Sequence, residues 1–429
     1  MKPTRILFFT DNFPPESNAP ANRTYEHCIE WVKKGAEVTV ITCNPNFPKG
    51  EVFPGYKNKL YRKEMMDGIK VVRVWSYITP NRGTVKRILD YISYAFASFL
   101  ASFFHKADVI VATSPQLFTV LGGHMAAMVK RKPLVMEVRD LWPESIKAVS
   151  AIESNSILDR LEKLVTYLYR SAHRIVVVTD SFKERIAAEG IDADKIEVIK
   201  NGVNPQRYFP QDPNQQLIEK LQLQGKFVVG YIGTHGMAHN LNFILECAAE
   251  LTDSEIHFLF VGEGAYKGRM VNLANELGLT NVTMLDSIDR EEVPNYISIT
   301  DVALVPLRKS DTFKTVIPSK IFENAAMGKP ILLGVEGEAQ QLLESYRAGL
   351  CFEPENKADF LKQLGRLKND ASEYEACQNG CFSMADEFNR KVLAERMLEI
   401  LMNTIQSRAT SPNAASNSSM GRAAVRNES

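Results

Sequence analysis

The stretch Arg5-Ile6-Leu7-Phe8-Phe9-Thr10 leads into Asp11-Asn12-Phe13-Pro14-Pro15-Glu16-Ser17-Asn18-Ala19-Pro20. A helical segment from about Ala21 to Lys34 then precedes Glu37-Val38-Thr39-Val40-Ile41-Thr42. Two short apolar runs separated by a Pro-rich loop and by a helix that stops at Gly35 make a β-loop-α-β unit, the opening of a parallel sheet covered on both faces. Apolar runs of strand length recur at 71–74, 109–112, 134–138, 175–178 and 196–199. After Asn201-Gly202-Val203-Asn204-Pro205, a polar stretch with Pro210, Pro213 and several glutamines reads as a linker. The pattern then restarts at 227–232, 257–261, 282–285, 302–305 and 331–333. The expected class is α/β, with two successive parallel sheets of similar size in domains 1–204 and 205–385. An amphipathic helix over 386–405 is free to cross back to the first domain, and a Ser-, Asn- and Ala-rich tail over 406–429 has too little apolar surface to fold.

The chain of 429 residues is 45% hydrophobic and 24% charged, enough for two large cores. Its 51 basic and 51 acidic residues balance overall, yet residues 1–200 hold 29 Lys and Arg against 22 Asp and Glu, while residues 201–429 hold 22 against 29. A basic first half suits an anionic membrane surface or a phosphorylated substrate. Nucleic acid is not expected, because no aromatic-interleaved basic motif accompanies the charge. The six cysteines are scattered, and Cys377 and Cys381, four apart, lack the second pair of a zinc site; they read as reduced packing thiols of a cytoplasmic protein. The first strand runs into a Pro-rich loop rather than a signal-peptide pattern. Residues 88–104 carry one charge, Asp90, between basic flanks (Arg82, Lys86 and Arg87 before, His105 and Lys106 after). This segment falls short of the roughly 20 residues that span a bilayer. It is either a core helix or one whose exposed edge touches lipid.

The chemistry concentrates in Pro318-Ser319-Lys320-Ile321-Phe322-Glu323-Asn324-Ala325-Ala326-Met327-Gly328-Lys329-Pro330, a short helix with Ser319 as N-cap and Gly328 as stop. A lysine in the first turn sits at the positive end of the helix dipole, where it is unfavourable unless an anion such as phosphate is bound. Glu323 shares its face. A phosphate and a pair of sugar hydroxyls would satisfy both, although a solvent-exposed Lys-Glu pair would look the same. In open parallel sheets, ligands bind beyond the carboxyl ends of strands. The 12–22 loop holds the small residues Ser17, Asn18 and Ala19. The run 139–145 holds Arg139, Asp140, Trp142 and Glu144, with Arg139 and Asp140 either a structural ion pair or functional. In the second half, Gly233-Thr234-His235-Gly236, Gly262-Glu263-Gly264 and Asp286-Ser287-Ile288 each follow a strand, with glycines that let backbone approach a phosphate or ribose closely. Asp192-Ala193-Asp194 has the spacing of a metal-diphosphate motif but reads as a turn. No HExxH, Walker A or GxSxG pattern is present.

The order of these elements resembles the retaining glycosyltransferases of the GT-B fold, two facing Rossmann-like parallel-sheet domains with a cleft between them, and specifically the large group-4 family. The landmarks are Phe13-Pro14-Pro15, Asn201-Gly202-Val203, Val261-Gly262-Glu263-Gly264, Asp301-Val302-Ala303-Leu304-Val305-Pro306 and the Glu323 helix before Gly328-Lys329-Pro330, over about residues 5–400. The segments 137–145 and 318–323 look like the branch with the bacterial O-antigen and capsule N-acetyl-L-fucosamine transferases. Glu323 matches the second glutamate of the E-x7-E motif, which implies a contact to the donor ribose, with backbone amides over 316–319 facing sugar and diphosphate. Thr315 stands at the first glutamate, Thr234 and His239 stand where the family has an Arg and a Lys, and Arg139 stands at the family histidine near the reacting centre. The resemblance therefore implies that Lys320 supplies the positive charge, with Arg139 and Asp140 also in catalytic positions. Donor contacts would come from Glu323, Ser319, Thr315, Gly233, Thr234, His235, Glu263, Gly264, Ser287 and Ile288, and acceptor-side contacts from Ser17, Asn18, Ala19, Trp142 and Glu144. No metal and no cofactor beyond the nucleotide-sugar donor is implied. The expected activity is metal-independent, retaining transfer from a UDP-sugar to a polyprenyl-diphosphate-linked acceptor. It would take place in bacterial surface polysaccharide biosynthesis, peripherally on the cytoplasmic face of the plasma membrane. A UDP-sugar epimerase of the same fold and a non-catalytic sugar-nucleotide-binding protein are the rival readings.

Overall fold

The computed structural model describes residues 2–16, 18–47, 49–79, 84–114, 116–142, 155–251 and 255–410. It divides into two units, Met1–Ile199 together with Lys391–Ser429, and Lys200–Arg390. The division falls a few residues before the 204/205 boundary expected from sequence. The reason is that Val203 is buried and belongs to the second unit: its N–H donates to the Phe388 carbonyl at 3.0 Å and its carbonyl accepts from the Arg390 N–H at 2.9 Å.

In the first unit the strands are β1 (Arg5–Phe9), β2 (Glu37–Cys43), β3 (Tyr61–Met66), β4 (Ile69–Val74), β5 (Val109–Thr113), β6 (Leu134–Val138), β7 (Arg174–Val177) and β8 (Ile196–Val198). They form one sheet in the order β3-β4-β2-β1-β5-β6-β7-β8, parallel except for the β3–β4 hairpin. Alternate residues of β1 go to opposite cores. Leu7 and Phe9 join a cluster with Ile41, Ile110 and Met136, whereas Ile6 and Phe8 join Trp31, Val40 and Val111. Both faces are therefore covered, as the unbroken apolar runs require. The final helix, Arg390–Thr410, closes the second of these cores through Leu393, Met397 and Leu401, and the Trp31 indole donates to the Ala394 carbonyl at 2.8 Å.

The second unit holds β9 (Phe227–Ile232), β10 (Ile256–Val261), β11 (Val282–Leu285), β12 (Val302–Pro306), β13 (Ile331–Gly334) and β14 (Gly349–Cys351) in the parallel order β11-β10-β9-β12-β13-β14. Here too β12 feeds two cores, Ala303 and Val305 on one face and Val302 and Leu304 on the other. In each sheet the strand order reverses at one place, between β1 and β5 and between β9 and β12. A crevice at the carboxyl ends of strands opens at such a reversal.

None of the six cysteines is in a disulfide; five are buried and Cys351 is partly so. Among the described residues no helix is long and apolar enough to cross a membrane. The expected tail over 406–429 lies outside the described residues from 411 onward, and helix covers its beginning.

Candidate active site

The second unit assembles its site at the β9/β12 reversal from three loops. After β9, Gly233 has φ +149, and a Cβ there would lie 3.0 Å from the Lys320 Nζ. After β10, Gly262 has φ +150, and a Cβ there would lie 1.9 Å from the Gly233 carbonyl oxygen. Only glycine tolerates both the conformation and the contact. The loops are pinned by the Gly233 N–H to the Val261 carbonyl at 2.9 Å and the His235 N–H to the Glu263 carbonyl at 2.8 Å. Gly264 packs against the His235 backbone so closely that a Cβ would lie 2.3 Å from its carbonyl oxygen.

Lys320 reaches this point from the helix Lys320–Ala326, on the β12–β13 connection. The residue as a whole is half-buried, but Nζ is sealed from solvent and has no hydrogen-bond partner. It sits over the Tyr231 ring, 3.7 Å from the centroid. Burial pushes its pKa down to about 7, against the opposing pull of the Glu323 charge. A buried polar group without a partner costs a folded protein of the order of kcal/mol, so it persists where a ligand completes it.

Two histidines complete the cluster. His235 is fully buried with both ring nitrogens unpartnered, and burial, with the Lys267 and Lys320 charges, lowers its pKa to about 4. Burial, followed by Lys320 and His235, lowers that of His239 to about 3. Their rings lie 5.8 and 5.7 Å from that of Tyr231, whose hydroxyl donates to the Thr234 carbonyl at 2.7 Å. One titrating ammonium and two neutral imidazoles around an aromatic ring form a cluster that gains from an anion.

The other expected donor contacts divide. Glu323 lies on the Lys320 helix, close enough for its charge to add to the burial that raises the Tyr208 pKa and to oppose the burial that lowers that of Lys320. Ser319 occupies the N-cap position but, contrary to expectation, makes no capping hydrogen bond, because its backbone is helical rather than extended. The Thr315 hydroxyl donates to the Thr312 carbonyl at 3.1 Å within a 3-10 turn, and the Val316 N–H donates to the Phe313 carbonyl at 3.2 Å, so these two groups are already occupied. Glu263 is exposed and ion-paired with Lys267 at 2.8 Å. The Lys267 ammonium also bonds Asp286 and, at 3.1 Å, the Leu285 carbonyl, which fastens the β11 loop beside Ser287. Ile288 packs into a small core with Leu259 and Tyr296. Sequence reasoning passed over Tyr231, which looked like one more apolar strand residue, and Lys267, whose signal was its position four residues after Glu263.

In the first unit the carboxyl edge near the β1/β5 reversal carries Asp11, Ser114, Arg139 and Asp140. The Arg139 and Asp140 N–H groups both donate to the Ser114 hydroxyl, at 2.7 and 3.3 Å. Burial raises the Asp140 carboxyl to about 6 despite the adjacent Arg139 charge. Burial, reinforced by Asp90 and Glu16, raises Asp11 to about 8. Asp11 was not among the sequence candidates, although it directly follows β1. Asn18 proves to be the N-cap of the helix Ala19–Lys33: its side chain accepts from the Ala21 N–H at 2.9 Å and donates to Asn12 at 2.7 Å. Ala19 is the exposed first residue of that helix. Trp142 is packed against the core rather than standing free. Ser17 and Glu144 lie outside the described residues. The Asp192 side chain accepts from the Asp194 N–H at 3.0 Å, a turn as expected, and among the described residues no three His, Cys, Asp or Glu side chains converge as a cation site would need.

Two family models match the chain in tandem, Glycosyltransferase Family 4 over residues 21–207 and Glycosyl transferases group 1 over residues 213–381. The chain belongs to the group 1 glycosyltransferases of the GT-B fold. This glycosyltransferase is 26% identical to WcaI of Escherichia coli, a glycosyl transferase assigned to colanic acid biosynthesis, over 82% of this chain and 89% of that protein. It is 22% identical to the N,N'-diacetylbacillosaminyl-diphospho-undecaprenol alpha-1,3-N-acetylgalactosaminyltransferase of Campylobacter jejuni, over 83% and 92% of the two chains. Among solved structures it is similar to Anabaena HepE in complex with UDP-glucose, with a TM-score of 0.70 at 15% identity, covering 93% of this chain and 99% of that one.

Proposed function

We propose that this glycosyltransferase moves a sugar from a UDP-linked donor to a polyprenyl-diphosphate-linked acceptor during bacterial surface polysaccharide assembly. N-acetyl-L-fucosamine is a candidate sugar. The observation that carries the reading is the sealed, unpartnered Lys320 ammonium at the β9/β12 reversal, flanked by His235 and His239. A donor diphosphate there would take its hydrogen bonds from Lys320, protonated once the anion is present, and its backbone contacts from the loop at Gly233 and Thr234. Glu323 would accept from the ribose hydroxyls, and the β11 loop at Ser287 would meet the base. The donor in the Anabaena complex and the acceptor in the Campylobacter name support the two substrate classes.

The chemical task is to stabilise a departing diphosphate while positive charge grows on the sugar. Preorganised amides and an ammonium in a dry site do this electrostatically, so Lys320 supplies the charge that a metal ion would otherwise bring. Retention follows if the leaving phosphate takes the proton of the acceptor hydroxyl on the same face of the sugar. In the first unit, Arg139 and Asp140 would orient the acceptor. The +7 charge of residues 1–200 suits the anionic cytoplasmic face of a membrane.

The test is incubation of the protein with labelled UDP-sugars and bacterial membranes. The reading expects label in a lipid-extractable product with the donor's anomeric configuration retained. A converted UDP-sugar with no labelled lipid would instead indicate an epimerase, and donor binding without any turnover would indicate a binding protein.

A further inference from the structure

The helix Thr84–Ser102 is apolar on two sides. Tyr94, Ala95, Ser98 and Ala101 face the core, where the helix meets Gly122 so closely that a Cβ there would lie 2.9 Å from the Ala95 carbonyl oxygen. The opposite side shows Leu89, Ile92, Phe96, Leu100 and Phe103, a stripe at helical spacing that is left in solvent. Phe96 is 59% exposed and the neighbouring Phe104 77%. Beside this stripe the open end of the β3–β4 hairpin contributes Leu60, Tyr61 and Trp75, and together they wall an open groove of about 610 Å³. That volume lies in the range of ligand sites, yet nearly every lining atom is carbon, and the Ser93 hydroxyl at its floor is used, donating to the Asp90 carbonyl at 2.8 Å. Such a wall orients no head group and recognises only hydrocarbon.

Charge marks one end. Trp75 directly follows β4, so the Trp75–Leu89 end of the groove lies at the carboxyl edge of the sheet, the edge that carries Arg139 and Asp140. There the first turn of the helix contains no acidic residue, and Lys86 and Arg87 are exposed, with Arg87 bonded to the Tyr91 hydroxyl at 3.1 Å rather than to a carboxylate. A furrow of carbon running away from a cationic mouth matches an amphiphile with one long chain and a phosphorylated end.

We infer that this groove holds the prenyl chain of the lipid-linked acceptor, with its diphosphate at Lys86 and Arg87. The inference rests on the acceptor class proposed above and makes the lipid chain, not only the sugar, part of what the enzyme recognises. A concave site between two elements takes a single chain; a bilayer alone would need only the protruding residues.

Trp75 in the groove wall is a built-in reporter, because indole emission moves to shorter wavelength as water leaves. The full-length protein is titrated with geranylgeranyl diphosphate below its micelle concentration, with isopentenyl diphosphate as the short-chain control and phosphatidylglycerol vesicles as the bilayer arm. The expected result is a saturable Trp75 shift with geranylgeranyl diphosphate, absent in Trp75→Phe and absent with isopentenyl diphosphate. Ile92→Ser with Phe96→Ser, both at solvent-exposed positions, weakens binding roughly tenfold or more at unchanged Tm. Lys86→Gln with Arg87→Gln, which gives up only the Arg87 contact with the exposed Tyr91 hydroxyl, weakens it as well. No Trp75 response to geranylgeranyl diphosphate, equal binding by the groove variant, or a response to vesicles alone would overturn the proposal. The readout needs neither sugar donor nor turnover, so its failure leaves the donor-site reading standing, whereas failure of UDP-sugar transfer in membranes does not silence it.

Discussion

The Lys320 ammonium stands 3.7 Å above the centre of the Tyr231 ring and has no hydrogen-bond partner. A cation over an aromatic face gains about 0.5–2 kcal/mol, more as water is excluded. Tyr231→Phe keeps the face and loses only the hydroxyl bond to Thr234, whereas Tyr231→Leu loses both. UDP-glucose affinity, measured by calorimetry at pH 7, should fall at least about threefold further in the Leu variant than in the Phe variant. Equal affinities in the two variants would remove Tyr231 from the account.

Glu323 and Lys320 should separate by ligand. If the carboxylate accepts from ribose hydroxyls, Glu323→Gln weakens UDP binding by roughly 10-fold or more, since a bond to a charged group is worth about 1.5–3 kcal/mol. Inorganic pyrophosphate, which has no ribose, should bind wild type and variant alike. A parallel loss for both ligands would show that Glu323 acts only through the Lys320 charge.

Donor affinity should depend on pH through a single group. The Lys320 pKa is held near 7 by burial, while His235 at about 4 and His239 at about 3 stay neutral from pH 5 to 8. The diphosphate selects the ammonium form, so UDP-glucose affinity is highest below pH 7 and falls above it, by up to about tenfold per unit. Binding at pH 8 should take up a proton, seen as a dependence of the calorimetric heat on buffer ionisation enthalpy. Lys320→Arg should abolish that dependence.

Much of this was legible in the chain. Every apolar run read as a strand is one, because a strand buried on both faces shows itself as continuous Val, Ile, Leu and Phe. The edge strand β3 escaped because Tyr61–Met66 carries the charged run Arg62-Lys63-Glu64 in its middle and alternate residues face solvent. Its two-residue turn is Asp67-Gly68, both at positive φ. Lys320 stood out because a lysine in a first helical turn needs an explanation. Tyr231 and Asp11 did not, since their roles depend on which loops the strand order brings together, and no local pattern encodes that. Asn18 and Trp142 carry structural contacts that their sequence context did not announce, Asn18 as a helix cap and Trp142 partly buried against the core.

The first unit has its own titration signature. Burial holds the Asp140 carboxyl up at about 6, with Arg139 opposing. If the ionised form positions the acceptor, the transfer rate declines as pH drops through about 6, and Asp140→Asn removes that acid limb while leaving UDP-glucose affinity unchanged. An identical pH profile in the Asn variant would confine Asp140 to a structural role.

The most direct test is Lys320→Met at pH 7, read by donor binding and by thermal unfolding together. Lys320 has a depressed pKa in the folded state, so the unfolded chain holds the extra proton between about 7 and 10.5; its penalty is full below that window and fades as pH rises through it. Removing a buried charge kept for a ligand should therefore raise stability at pH 7, by on the order of a few kcal/mol. The same change should weaken UDP-glucose roughly 10- to 100-fold. A Lys320→Met protein that binds UDP-glucose as tightly as wild type, or that is less stable, would contradict the claim that this ammonium is held in the fold for the donor diphosphate.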